Sequence, residues 1–500
     1  MEIEFENKTS VCYREFFCTS KRIQESMESV VPDTNEDIGK IASVQTTVLL
    51  KGKEANGHTL RISGEVQAVL LYITEDEQAV SFLRLTKPFT MDYDVAEEVR
   101  EELCQVDLNV TNSEARMLNP RKVSLTVEIT GELCCYRQDT ACIGMELPTE
   151  LPGHIHTLTD KQAVVLNSIV TEKTFAFNEQ FPFPAGKPVP SQLLAQNACF
   201  RILEAQQVGS RVIVKGNLVL SVSYLSDEVD YPVQVEFSSP FSQIAEIGDE
   251  ESSHCVVSIL PTSSYYELID TISGEKALDT ELHAVMQIVS RSRKELVYVT
   301  DAYSNRQEIA CRREPLSVYT STGMQAAMLR ENEEITIADD CADVLAVFPT
   351  LSHVNNSGGN LSAAVLLDVI YRKADGRIGS VRRLMNPELK EYPSVARLVC
   401  ADLREWNFQP EGSSMQTEIC VEAIYQCITG IELQPVVAVD IPENAQWETE
   451  AFPAVTLVRQ EGESLWELAK TYHSSVEAIQ TANEENTEND VVFLLIPKEI

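Results

Sequence analysis

One strand-like segment occurs twice in this chain with identical internal spacing. It reads Gly64-Glu-Val-Gln-Ala-Val-Leu-Leu-Tyr72 followed by Pro88-Phe89-Thr90, and again Gly216-Asn-Leu-Val-Leu-Ser-Val-Ser-Tyr224 followed by Pro240-Phe241-Ser242. Glycine to tyrosine is 8 residues both times (72−64, 224−216), and tyrosine to proline is 16 both times (88−72, 240−224). A weaker third copy, Leu361 to Tyr371 and then Pro387, keeps the 16-residue step (387−371) while its Gly and Phe are replaced. The copies are offset by 152 and 147 residues (216−64, 371−224), so the chain is an array of related units. A tyrosine that ends a buried strand, with Pro-Phe closing the next, reads as a packing corner rather than a ligand pocket.

Past its proline each copy continues into a long alternating segment: residues 123–131, 278–286 and 415–425. Apolar residues at every second position bury one face of a sheet and wet the other, which predicts antiparallel strands. The later copies also open on extended stretches, at Phe175-Ala-Phe-Asn178 and Ile335-Thr-Ile-Ala338, and helical periodicity is scarce before residue 460. The expected fold is mainly β, with three tandem β-sandwich-like copies at 15–150, 160–305 and 310–440.

A connector at 441–452 leads into a last segment, 453–499, of different character. A strand, Thr456-Leu-Val-Arg459, runs into the turn Gln460-Glu461-Gly462, and Ser464 with Glu467 forms a capping box. Leu465, Leu468, Ala469 and Tyr472 then follow the spacing of one buried helix face. His473 stands where a left-handed residue is expected. Ser474 or Ser475 caps a second helix with Val476, Ile479 and Ala482 on one side, which Asn483 ends before the strand Val491 to Ile496-Pro497. The order is βααβ. A domain with its own core implies that Leu465→Arg or Trp466→Ala unfolds this segment without touching the repeats.

These residues carry two resemblances. The repeats, over roughly 15–440, resemble the SPOCS domain of clostridial sporulation proteins. The segment Gly462-Glu463-Ser464-Leu465-Trp466, with Asn483 and the closing Ile496-Pro497, resembles the opening and end of a LysM domain. LysM domains bind N-acetylglucosamine-containing glycans, and the resemblance places that groove at Gly462, Glu463, Ser464, Leu465, Asn483, Glu484 and Glu485. Here Glu484-Glu-Asn-Thr-Glu-Asn-Asp490 replaces the family's Ile-x-x-Gly-Gln turn. Carboxylates donate no hydrogen bond to a sugar and do not stack on it, so a protein partner bearing Lys or Arg is the better match.

The joint resemblance implies a non-enzymatic scaffold of spore-coat assembly in the mother-cell cytoplasm, at the forespore surface. Its LysM domain would bind the coat morphogenetic ATPase SpoIVA. The alternative is a cell-wall protein that binds peptidoglycan through its LysM domain.

Charge and motifs narrow the other classes. Against 40 basic residues stand 77 acidic ones, a net charge of −37, which repels phosphate backbones and anionic lipid alike, so neither nucleic acid nor a membrane is an expected partner. The first residues, Met1-Glu-Ile-Glu-Phe-Glu6, lack the basic and apolar regions of a secretory signal, and a cytoplasmic protein is expected. No apolar run reaches the roughly 18–20 residues of a spanning helix. The 13 cysteines include no Cys-x-x-Cys pair, and several, such as Cys134, Cys135, Cys420 and Cys427, sit in apolar strand-like runs, the usage of reduced, buried thiols. Lys40, Lys53 and Lys187 follow glycine but lack the rest of a phosphate loop, and His154 with His156 lacks a third metal ligand. A Gly-x-Ser-x-Gly elbow is also missing, so no catalytic residue, cofactor or metal is expected.

Overall fold

A computed structural model describes residues 2–146, 154–247, 254–272, 274–357, 359–390, 396–442, 454–459, 462–483 and 493–498. The protein is mainly β. After the short β1 (Glu2–Glu4) come β2 (Glu6–Val30), β3 (Ile38–Asn56), β4 (Thr59–Thr74), β5 (Val80–Asp94), β6 (Cys104–Asn119) and β7 (Lys122–Glu146). A second set follows: β8 (Ile155–Pro182), β9 (Gln192–Val208), β10 (Arg211–Ser226), β11 (Val229–Glu246), β12 (His254–Asp270) and β13 (Lys276–Ser304). Past β14 (Ala310–Arg313) the third set is β15 (Leu316–Thr336), β16 (Cys341–Ser357), β17 (Asn360–Lys373), β18 (Ile378–Met385), the two-residue β19 (Glu388–Leu389), β20 (Ala396–Glu411) and β21 (Ser414–Leu433). The chain closes with β22 (Val436–Asp440), β23 (Val455–Arg459), α1 (Leu465–Thr471), α2 (Val476–Ala482) and β24 (Phe493–Pro497). Neither helix is long and apolar enough to cross a membrane.

All three sets share one topology. The second, third and fourth strands form an antiparallel meander, β3-β4-β5, β9-β10-β11 and β16-β17-β18. The first and the next-to-last strands flank the last, giving β2-β7-β6, β8-β13-β12 and β15-β21-β20, while the extra β19 of the third set pairs with β17. Each unit buries one apolar cluster drawn from both of its sheets. The Gly-to-Tyr segments are the middle strands of the meanders, and the long alternating segments are the middle strands of the second sheets. Unit one starts at Glu6, ahead of residue 15, and the second sheet of unit three ends at Leu433, with β22 leaving to pair elsewhere.

The repeated residues are packing devices. Tyr72 and Tyr224 are fully buried, and their hydroxyls donate to the Glu36 carbonyl at 3.1 Å and the Pro188 carbonyl at 2.8 Å. Gly64 lies opposite Phe89 and Gly216 opposite Phe241, so each ring lies across a bare glycine. A Cβ on Gly216 would sit 2.1 Å from the Arg201 carbonyl oxygen, a backbone atom that cannot swing aside. Gly216→Ala is therefore expected to cost about 1–3 kcal/mol, read from the denaturant midpoint of the full chain.

The third copy departs from the sequence alignment by one position. Tyr371 opposes Gly379, 8 residues on (379−371), whereas Tyr72 opposes Ser81 and Tyr224 opposes Val233, each 9 residues on (81−72, 233−224), so the return strand of the third copy comes one residue earlier. Pro387 thereby faces Ala363, the glycine position, with the Ala363 amide bonded to its carbonyl at 3.0 Å. The equal 16-residue step thus aligns Pro387 with the phenylalanines of the other copies, not with their prolines, which oppose Glu65 and Asn217.

The units close on one another. The hairpin ends meet in one apolar cluster that takes Leu71 and Ile73 from unit one, Leu194 from unit two, and Phe348, Ile370 and Ile378 from unit three. A second shared cluster joins Val164, Leu296 and Tyr298 of unit two with Met145 of unit one and Leu316 and Leu433 of unit three. Strand β13 meets β7 in parallel at Val297 and Gly144, joining two second sheets into one of six strands. The N-terminus completes the assembly: β1 pairs with β22, β22 pairs with β14, and Phe5 buries beside Val299, Val436 and Val439.

Candidate functional site

The C-terminal segment folds as β23-α1-α2-β24, with the two strands antiparallel. The Ser464 hydroxyl accepts from the Glu467 amide, and the Glu467 carboxylate accepts from the Ser464 amide at 2.8 Å, completing the capping box. His473 has φ of +55°, and Ser475 is the residue that caps α2. Leu468, Ala469, Ile479, Leu494 and Ile496 form the buried core, with Leu465, Trp466, Tyr472 and Val476 packed against it.

The groove residues expected here have structural partners of their own. Asn483 is a strut: its Nδ2 donates to the Ile479 carbonyl at 2.6 Å and the Leu495 carbonyl at 2.8 Å, and its Oδ1 accepts from the Leu495 amide at 2.9 Å. Ser464 is engaged in its cap, and Leu465 packs into the core. Gly462, with φ of +107°, and Glu463 are exposed in the turn before α1. Glu484 and Glu485, with the acidic run to Asp490, lie outside the described residues. The opposite side of the domain is apolar: Val455, Leu457, Phe493 and Leu495 are exposed on the outer face of β23-β24, with Leu457 directly opposite Leu495.

The expected independence of this domain is corrected by its contacts. Its core includes Tyr303 from the end of β13, whose ring meets Trp466 edge-on at 4.7 Å and whose hydroxyl donates to the Ser474 carbonyl at 2.8 Å. Trp466 Nε1 and Lys470 Nζ both donate to Asp301 Oδ2, at 2.9 and 2.7 Å. Behind Tyr303 stacks His156, at 5.1 Å, so His156, in strand β8, backs this seam. No group of three or more His, Cys, Asp or Glu side chains suited to a metal occurs among the described residues.

Between the three units lies a cavity of about 2100 Å³ that no strand pattern signals. Its wall mixes apolar side chains with charged ones of both signs, among them Arg84, Asp107, Arg201, Arg291, Asp402 and Glu422. Two of these groups are ties between units, Arg84 donating to the Leu193 carbonyl at 2.6 Å and Arg201 to the Leu403 carbonyl at 3.1 Å; elsewhere the Gln287 amide exchanges two hydrogen bonds with Val106. Burial, reinforced by Glu132, pushes the Asp107 carboxyl up to about 6. A carboxyl raised on folding binds its proton more tightly in the folded state, so its contribution favours the fold at low pH and is lost as pH rises through that value. Asp107→Asn is accordingly expected to stabilise the chain by about 1–2 kcal/mol at pH 7 and to flatten the stability profile between pH 4 and 6, measured by denaturation across pH.

No family model, curated protein or solved structure matches the chain.

Proposed function

We propose that the three units are SPOCS-like repeats and that the βααβ segment is a LysM-like domain. On this reading the chain is a non-enzymatic scaffold of spore-coat assembly, similar in domain order to the clostridial spore-coat morphogenetic protein SipL. It acts at the forespore surface in the mother-cell cytoplasm, and its C-terminal domain meets the coat ATPase SpoIVA. The observation that carries a protein partner over a glycan is the condition of the C-terminal domain's two sides. On the groove side Ser464 and Asn483, the side chains with hydrogen bonds to offer a sugar, are engaged within the domain. On the outer side four large apolar residues stand exposed on a two-stranded sheet. Desolvated apolar centres with a polar rim are what protein interfaces provide.

The seams between units support a scaffold role. Arg372 forms a two-bond ion pair with Asp230, at 2.7 and 3.1 Å, and Lys373 meets Glu77 at 2.8 Å, tying unit three to units two and one. A body fixed in this way holds the C-terminal domain at a set position relative to its other surfaces.

The test is a double substitution on the exposed face, Leu457→Ser with Leu495→Ser, in the full chain. Capture by the purified coat ATPase is expected to fall at least tenfold, about 1.4 kcal/mol, with the melting temperature unchanged. Undiminished capture, or sedimentation of the wild-type chain on purified peptidoglycan that Asn483→Ala abolishes, would reject the reading.

A further inference from the structure

Strand β7 carries two adjacent cysteines, Cys134 and Cys135, whose side chains point to opposite faces of the sheet. Each meets a cysteine on a neighbouring strand. Cys134 is the register partner of Cys18 on β2, and Cys135 that of Cys104 on β6. The sulfur atoms are 2.7 Å apart in the first pair and 3.2 Å in the second. Directly opposed residues of an antiparallel sheet have Cα atoms about 4.5–5.5 Å apart. That lies inside the span of about 4.4–6.8 Å that a disulfide bridges, so neither pair needs the backbone to move.

Access separates the two pairs. Cys104 and Cys135 are both buried in the core of unit one. Cys134 is buried too, but Cys18 is exposed. The exposed pair also has a cationic neighbour from another unit: Arg397, on β20, donates Nη2 to the Cys134 sulfur and lies 3.3 Å from Glu15 through Nη1. The hydrogen bond with Cys134, helped by the Arg397 charge, lowers the Cys18 thiol against the opposing cost of burial, and the same bond raises Cys134. One accessible sulfur inclined to ionise, beside one shielded sulfur that stays protonated, is the arrangement of an attacking and a resolving thiol.

We propose that Cys18 and Cys134 form a reversible dithiol–disulfide couple that exchanges with small-molecule disulfides, and that Arg397 links its state to the seam between units one and three. The Cys18 thiolate attacks one sulfur of the small disulfide, whose S–S bond breaks and releases one thiolate, leaving a mixed disulfide on Cys18. Cys134 then attacks the Cys18 sulfur; its proton passes to the second departing thiolate, and the protein disulfide closes. Two protein thiols and one small disulfide become one protein disulfide and two small thiols. Oxidation removes the ionisable Cys18 thiol beside Arg397 and locks the Cys134 sulfur that Arg397 bonds into a disulfide, a weaker acceptor, so the guanidinium keeps Glu15 and loosens its hold on the sulfur.

The full chain, equilibrated with oxidised and reduced glutathione at set ratios, is quenched in acid, alkylated and digested without reduction. A Cys18–Cys134 crosslinked peptide is expected to grow with the oxidised fraction and to vanish on return to reduced glutathione. Cys134→Ser is expected to accumulate glutathione on Cys18, Cys18→Ser to abolish the crosslink, and Arg397→Ala to slow Cys18 modification severalfold. Cys104 and Cys135 are expected to stay unlinked until the protein is denatured. Recovery of Cys18 and Cys134 as separate alkylated residues throughout the series overturns the couple, as does linkage of Cys104 to Cys135 ahead of it. An Arg397→Ala chain whose Cys18 reacts at the wild-type rate overturns the link to unit three.

Discussion

Tyr303→Ala is expected to free the C-terminal domain from the second unit. Tyr303 is buried, sits in the C-terminal domain's apolar core although it belongs to β13, and closes a hydrogen bond to the Ser474 carbonyl. Truncating a buried aromatic side chain costs about 3–5 kcal/mol, and here the cavity opens at the seam itself. Hydrogen exchange should therefore rise across α1 and the end of β13 while β2, β7 and the three meanders keep their protection. Tyr303→Phe retains the ring and forfeits one hydrogen bond, about 0.5–1.5 kcal/mol, so its exchange should stay close to wild type. Unchanged protection of α1 in Tyr303→Ala would show that the domain does not depend on this seam.

The same seam has a pH signature. Burial raises the Asp301 carboxyl, but the hydrogen bonds from Lys470 and Trp466 outweigh it and hold the group below the ordinary aspartate range. A carboxyl depressed on folding contributes stability that is complete above its unfolded value, near about 3.9, and is lost as pH falls through the folded one. Docking should accordingly persist through mild acid and weaken only below about pH 4, a course opposite in sign to that of Asp107.

Tyr224→Ala carries the other large effect. The side chain is fully buried, meets Phe183 edge-on at 5.2 Å and donates to the Pro188 carbonyl. A loss of about 3–5 kcal/mol is expected for the alanine variant and about 1 kcal/mol for Tyr224→Phe, from denaturant titration monitored in unit two. Tyr72→Ala should behave alike, since its hydroxyl holds the Glu36 carbonyl in the same way. Tyr371→Phe should cost less than either phenylalanine variant, because that hydroxyl reaches only an Asp340 carboxylate oxygen at 3.4 Å. Equal costs at all three positions would mean that the tyrosine hydroxyls are not the corner ties.

What the sequence made legible was the middle strand of each sheet. Strands β4, β10 and β17, and β7, β13 and β21, have a partner on both edges and apolar neighbours above them, so their alternation is strong and their residues recur between copies. Flanking strands such as β9 and β12 carry a weaker pattern because one edge of each is open. The third copy's one-residue slip was invisible because an earlier return strand and a displaced proline cancel in the count from Tyr371 to Pro387.

The C-terminal domain's caps and helix faces were readable because capping is local: Ser464, Glu467, Ser475 and Asn483 act within a few residues of themselves. Its dependence on Asp301 and Tyr303 was not, since partners 165 and 171 residues apart leave no trace in a window of sequence. Asn483 shows the limit from the other side: its position in the motif suggested a ligand contact, whereas its three bonds fasten α2 to β24. The cysteine pairs needed the register of three strands, and only the adjacency of Cys134 and Cys135 was visible beforehand.

An adaptor, as proposed, holds a protein partner on its C-terminal domain. The most direct measurement is binding of the purified coat ATPase to the immobilised full chain, repeated with soluble peptidoglycan fragments in excess. Saturable binding that the fragments leave unchanged is the predicted result. No binding of the ATPase, with retention of the fragments in its place, would contradict the adaptor proposal and make the chain a glycan-binding protein.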